Sequence, residues 1–221
     1  MRGRWWRRSG FRVVAALALL ASAAAGCAEM TRPAPAPPPA DLVAGAPDPA
    51  RAAIAAAAAA FADRGAGLLN RPDAAAQAAA QLEYATEAFA TDPRWSAMPE
   101  SIRREMLLAR SELRDAIGLD EAASSRVAVA ALLDAARTLR AGDRRRASAV
   151  LRAPLFRPGG EGSINRLADP GPLPQVANAT ALAQIAAARL AADEGRLSST
   201  QMRERSAGIG GVGLAREPAG Y

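Results

Sequence analysis

PESIRREMLLARSELRDAIG, residues 99–118, decides the fold class. Ile102, Met106, Ala109, Leu113 and Ile117 recur at spacings of three and four, which places them on one face of a helix and leaves the charged residues on the others. Pro99 sets the start and Gly118 the stop, the ordinary asymmetry of helix ends. Upstream, Asp48 before Pro49 caps a helix that carries Ile54, Ala58 and Phe61 and closes at Gly65. Asn70 with Pro72 opens another, with Ala75, Ala78, Leu82, Ala85 and Phe89 at helical spacing. Downstream, Asp120 is expected to cap a helix with Val129, Leu132, Leu133, Ala136 and Leu139 inward, ended by Gly142.

Asp143 then begins a shorter helix, RRRASAVLR, which stops before Pro154. The 154–174 stretch PLFRPGGEGSINRLADPGPLP breaks the pattern and reads as a long loop. A sixth helix is expected over 175–194, with Leu182, Ile185 and Leu190 inward and Gly195 as its end. Ser198 and Gln201 have capping-box spacing for a last short helix. No segment sustains the period-two alternation of a strand. The expectation is an all-α fold: an Ala-rich antiparallel bundle, or stacked helix pairs, of about six helices. Alanine favours helix but carries little apolar area, so the alanine runs should lie where helices approach closely. LLDAARTLRAGDRRRASAVL (132–151) resembles one tetratricopeptide hairpin, which would imply an interaction module. No second copy follows at about 34 residues, and such arrays need roughly three to bury a core.

The N-terminus carries a different message. Five arginines and no acid lie within residues 1–12, and thirteen uncharged residues follow, in the order of a secretory signal. That run is too short to cross roughly 30 Å of hydrocarbon. It ends in Ala24, Ala25, Gly26 and Cys27, the chain's single cysteine. This AAGC resembles the lipobox of bacterial lipoproteins, with Ala24 at a position most often Leu. The resemblance implies that Cys27 receives a diacylglycerol and becomes the first mature residue. Ala28, which is not the Asp of the inner-membrane retention signal, implies the periplasmic side of an outer membrane. Two alternatives stay open: cleavage after the small-x-small Ala21-Ser22-Ala23 would release a soluble periplasmic or secreted protein, and RRSGF (7–11) resembles a twin-arginine export signal.

Prolines crowd residues 31–47, which reads as an extended spacer reaching about 50 Å from the bilayer. The expected organisation is a signal over 1–26, an anchored Pro-rich linker over 27–47, a helical domain over 48–205 and a flexible tail over 206–221.

The formal charge of +6 suggests nucleic acid, but the signal holds five of the 28 basic residues and none of the 22 acids. The remainder is nearly neutral, so no nucleic-acid partner is expected. There is no His, which removes the commonest general base and the usual zinc ligand, and acylation of Cys27 would remove thiol chemistry. No catalytic residue, metal or cofactor is therefore expected. The rival reading is a peptidoglycan-active enzyme using a helix-borne carboxylate, with Glu83, Glu87, Glu100, Glu105 and Glu112 as candidates and Glu100 paired with Arg104. The preferred function is a lipid-anchored envelope protein that binds or scaffolds. Its partners would be membrane lipid through Cys27 and an envelope protein, lipopolysaccharide or peptidoglycan. Arg144, Arg145 and Arg146 are candidates for contact with an anionic partner, against a plainly solvated charge run. Trp95 is a candidate partner anchor, against a place in the core.

Overall fold

In the computed structural model the described residues are 38–209, with side chains described as far as Arg203. Cys27, the signal, the linker up to residue 37 and residues 210–221 lie outside them. Among the described residues seven helices follow one another: α1 Pro49–Phe61, α2 Pro72–Thr91, α3 Glu100–Ile117, α4 Ser125–Arg140, α5 Arg144–Val150, α6 Glu161–Ala168 and α7 Pro174–Ile209. No strand occurs among the described residues, and the fold is an all-α helical bundle.

Helix α2 is the centre. Its sequence, PDAAAQAAAQLEYATEAFAT, buries eleven of twenty residues, including six alanines besides Leu82, Glu83 and Phe89. Side chains this small let α1, α3, α4 and α6 all approach it. Helices α1, α2, α3 and α7 close a ring, each packed on the next, and α4 lies along the outside of α2. The alanine runs of α1 and α7 meet: Ala50, Ala53 and Ala57 on one, Ala179, Ala183 and Ala187 on the other, are buried where the two helices pack.

The expected stripes of α1 to α4 are inward, with Ile102 and Leu139 at the edge of the core. Several boundaries differ from expectation, each for a physical reason. Residues 38–47 are not spacer: Leu42 is 1 % exposed, and its carbonyl accepts hydrogen bonds from the Nε2 groups of Gln77 and Gln81. The folded unit thus begins at Pro38. Asn70 does not cap α2; it takes a left-handed φ of 58° and its N–H donates to the Ala168 carbonyl at 2.7 Å. Ser124, not Asp120, caps α4: the helix starts only at Ser125, five residues after Asp120, and the Ser124 hydroxyl accepts from the Val127 N–H.

The 154–174 loop contains α6, whose Ile164 and Leu167 are buried, a helix of only eight residues behind two glycines. The last two expected helices are one, α7, which runs through Gly195. Ser198 donates to the Glu194 carbonyl one turn back instead of capping a new start. The inward face of α7 was also misplaced: Leu182 and Ile185 are exposed, and Val176, Ala179, Thr180, Ala183 and Ala187 are buried. The alanine face wins because it permits closer contact with α1 and α3. Leu190 packs at the edge of the core.

Gly118 ends α3 with φ 73°, and there the α3–α4 and α5–α6 connections meet through a Leu119–Phe156 bridge. A Cβ on Gly118 would lie 1.8 Å from the Arg157 carbonyl oxygen, whereas Gly142, at φ 77°, has open space around it. Gly142→Ala should therefore cost only the left-handed conformation, about 1–2 kcal/mol. Gly118→Ala should cost clearly more in urea unfolding, because the backbone of the second connection must move.

Candidate functional site

The five helix carboxylates proposed for chemistry each have a partner within the fold, three of them in hydrogen bonds between elements and Glu87 and Glu100 in ion pairs at the surface. Glu83, on the buried flank of α2, and Arg114, in the last turns of α3, are both about 1 % exposed. Arg114 Nε donates to Glu83 Oε1 at 2.6 Å and Nη2 to Oε2 at 2.7 Å, a bidentate charge-assisted pair. Arg114 Nη1 reaches the carbonyls of Asp120, Glu121 and Ala123 at 3.3, 2.8 and 3.0 Å. One guanidinium thereby ties α2, α3 and the connection into α4. Its hydrogen bonds to Glu83 hold the Arg114 pKa above its already high ordinary value, against the opposing effect of burial.

One turn on in α2 and one turn back in α3, Glu87 and Arg110 form a looser pair at 4.0 Å. Glu105 and Glu112 hold the start of α7. Gln175 Nε2 donates to Glu105 Oε2 at 2.6 Å, and the Val176 N–H donates to Glu112 Oε2 at 2.8 Å. Glu112 thus supplies from α3 the cap and the negative charge that a helix N-terminus favours. Glu100 pairs with Arg103 at 3.4 Å rather than with Arg104, since Arg103 is held by the carbonyls of Trp95 and Ser96.

The arginine run divides. Arg144 Nε donates to Glu161 Oε2 at 2.7 Å and Nη2 to Asn165 Oδ1 at 3.0 Å, so it joins α5 to α6. Arg145 and Arg146 are exposed. Asp143 caps α5 through the Arg146 N–H.

Trp95 is 2 % exposed, so the partner-anchor reading is corrected in favour of the core. A 3-10 turn, Pro93–Trp95, folds the ring inward against Phe89, edge to face with centroids 4.7 Å apart, and the Arg51 guanidinium lies 5.3 Å from its centroid. Asp92 caps this turn by accepting from the Arg94 N–H at 3.0 Å. The Arg94 side chain also donates to it, and holds its carboxyl below the ordinary Asp value. Tyr84 on α2 is pushed the other way, its phenol raised by burial.

An open hollow of about 530 Å³ lies between α1, α2 and the end of α4, lined by Asp63, Arg71, Asp73, Gln77, Gln81 and Arg140 among others. Sequence reasoning did not find it, because its polar residues come from α2, the end of α4 and the α1–α2 connection and share no spacing. Its two glutamines already hold the Leu42 carbonyl. No group of three or more His, Cys, Asp or Glu placed to hold a metal occurs among the described residues, and no described helix is long and apolar enough to cross a membrane. No protein family, curated protein or solved structure matches this chain.

The depressed Asp92 carboxyl predicts an acid dependence. A carboxyl whose folded pKa is lowered contributes stability above its unfolded value of about 3.9, and loses it as pH falls through the lower folded value. Asp92→Asn should lower stability near neutral pH and remove that part of the acid decline, read by unfolding titrations followed through Trp95 fluorescence.

Proposed function

We propose that this chain is a lipid-anchored cell-envelope protein, held through acylated Cys27 at the periplasmic side of an outer membrane, whose helical domain binds or scaffolds rather than catalyses. The observation that carries the second half is how the helix carboxylates are used. Glu83 is sealed against Arg114, and Glu105 and Glu112 are spent on the start of α7. Groups committed in this way serve the fold, and a binding role asks no more of them.

Apolar side chains left in solvent give the binding role a surface. Leu107 and Leu108 on α3 and Leu182 and Ile185 on α7 are all at least 40 % exposed, on two helices that pack together. Isolated exposed leucines are ordinary, whereas large apolar residues on adjoining helices favour an interface. An envelope protein or peptidoglycan would be the partner. The anchor itself rests on the basic segment, the uncharged run and AAGC ahead of Cys27.

Intact mass of the protein from the membrane fraction of its own host, beside a Cys27→Ser version, tests the anchor. A species beginning at Cys27 with added acyl mass, lost in the variant, is the expected result. A species beginning near residue 24 with an unmodified thiol would contradict it.

A further inference from the structure

Charge along the chain is nearly balanced after Cys27, but it is not evenly spread. Seven arginines and a single acid lie from Arg137 to Arg157, while the rest of that part has sixteen arginines against twenty-one acids. Within this segment Arg137, Arg140 and Arg144 face Asp41, Asp73 and Glu161 at 3.2, 3.9 and 2.7 Å. Arg145, Arg146, Arg152 and Arg157 are exposed, and their side chains make no ion pair or hydrogen bond among the described residues. Arg145, Ala149 and Arg152 follow one another at helical spacing on the outside of α5 and its end, opposite buried Ala147 and Leu151. Four exposed cations thus lie within thirteen residues with no ion pair of their own, although Asp134 and Asp143 border the same hollow as Arg146.

The point at which the chain enters the fold lies beside them. Asp41 pairs with Arg137, and Arg137 borders the same small hollow as Arg146. Ten residues lie between Cys27 and Pro38, so the reach from one to the other is at most about 40 Å. A chain tethered at Cys27 would therefore keep this end of the domain close to the bilayer. The hollow at Arg146 also contains Asp134 and Asp143, which disfavour a single captured anion. Exposed arginines spread along a helix and the segment after it suit a sheet of phosphates instead.

We propose that the exposed arginines of α5 and the segment after it, Arg145, Arg146, Arg152 and Arg157, dock the domain on the phosphate headgroups of anionic phospholipid. For its orientation this rests on the anchor at Cys27, and it adds headgroup attraction to whatever the acyl chains supply.

The test uses the chain from residue 28, which keeps every described residue and carries no acyl group whatever the host does to Cys27. Flotation with phosphatidylglycerol vesicles should recover it, and phosphatidylcholine vesicles should not. Arg145→Gln/Arg146→Gln/Arg152→Gln should weaken binding by about 100-fold, from about fivefold per arginine, and high salt should release the unmutated chain. Arg104→Gln/Arg126→Gln/Arg189→Gln, which removes three exposed arginines elsewhere, should bind as before, with both variants unchanged in circular dichroism. No recovery with anionic vesicles, equal recovery with neutral ones, or equal loss in both variants would overturn the proposal. An intact mass without acyl group would sink the anchor and leave this readout standing.

Discussion

The Glu83–Arg114 pair is the constraint around which the rest of the bundle is arranged. Removing two charges from water costs several kcal/mol each, and the cost is recovered only where geometry is good and every remaining donor is used. Here Nε and Nη2 meet both carboxylate oxygens, and Nη1 collects three backbone carbonyls. Because those carbonyls belong to the α3–α4 connection, the pair fixes more than the distance between two helices. It also sets where α4 begins, and hence how α4 lies along α2.

Such a device suits an alanine-rich core. Alanine buries little apolar area, so packing must come from close approach of backbones rather than from large interlocking side chains. Close approach by itself is undiscriminating, since a stripe of methyl groups looks much the same one turn along. A bidentate ion pair between α2 and α3, a capping carboxylate carried from Glu112 to α7, and the insertion of Leu42 over Gln77 and Gln81 each remove some of that freedom. The polar contacts in this core thus select a register among alternatives that methyl contacts would leave nearly equal.

That division also explains what could be read from the sequence. The helices with large apolar residues at regular spacing, α3 with Met106, Leu113 and Ile117 and α4 with Leu132 and Leu133, were legible in class and face, and α3 also in extent. Helix α7 was legible as a helix but not in orientation, because ranking Leu182 and Ile185 above Ala179 and Ala183 assumes that size decides burial. Helix α6 was hidden by its length and by Gly159 and Gly160. Among site residues, Glu83 was visible as a candidate carboxylate, but nothing in its spacing pointed to Arg114, thirty-one positions away. The same long-range pairing that organises the fold removes Glu83 from the list of groups free to do chemistry, which moves the functional argument from the core to the surface.

A double-mutant cycle in urea unfolding with Glu83→Leu, Arg114→Met and the double variant tests this account most directly. Each single change should cost about 3–5 kcal/mol, because it leaves a buried charge without its partner, and the double variant should cost far less than the two combined. Single losses below about 1 kcal/mol that simply add in the double variant would contradict it, and would mean that alanine packing alone sets the register.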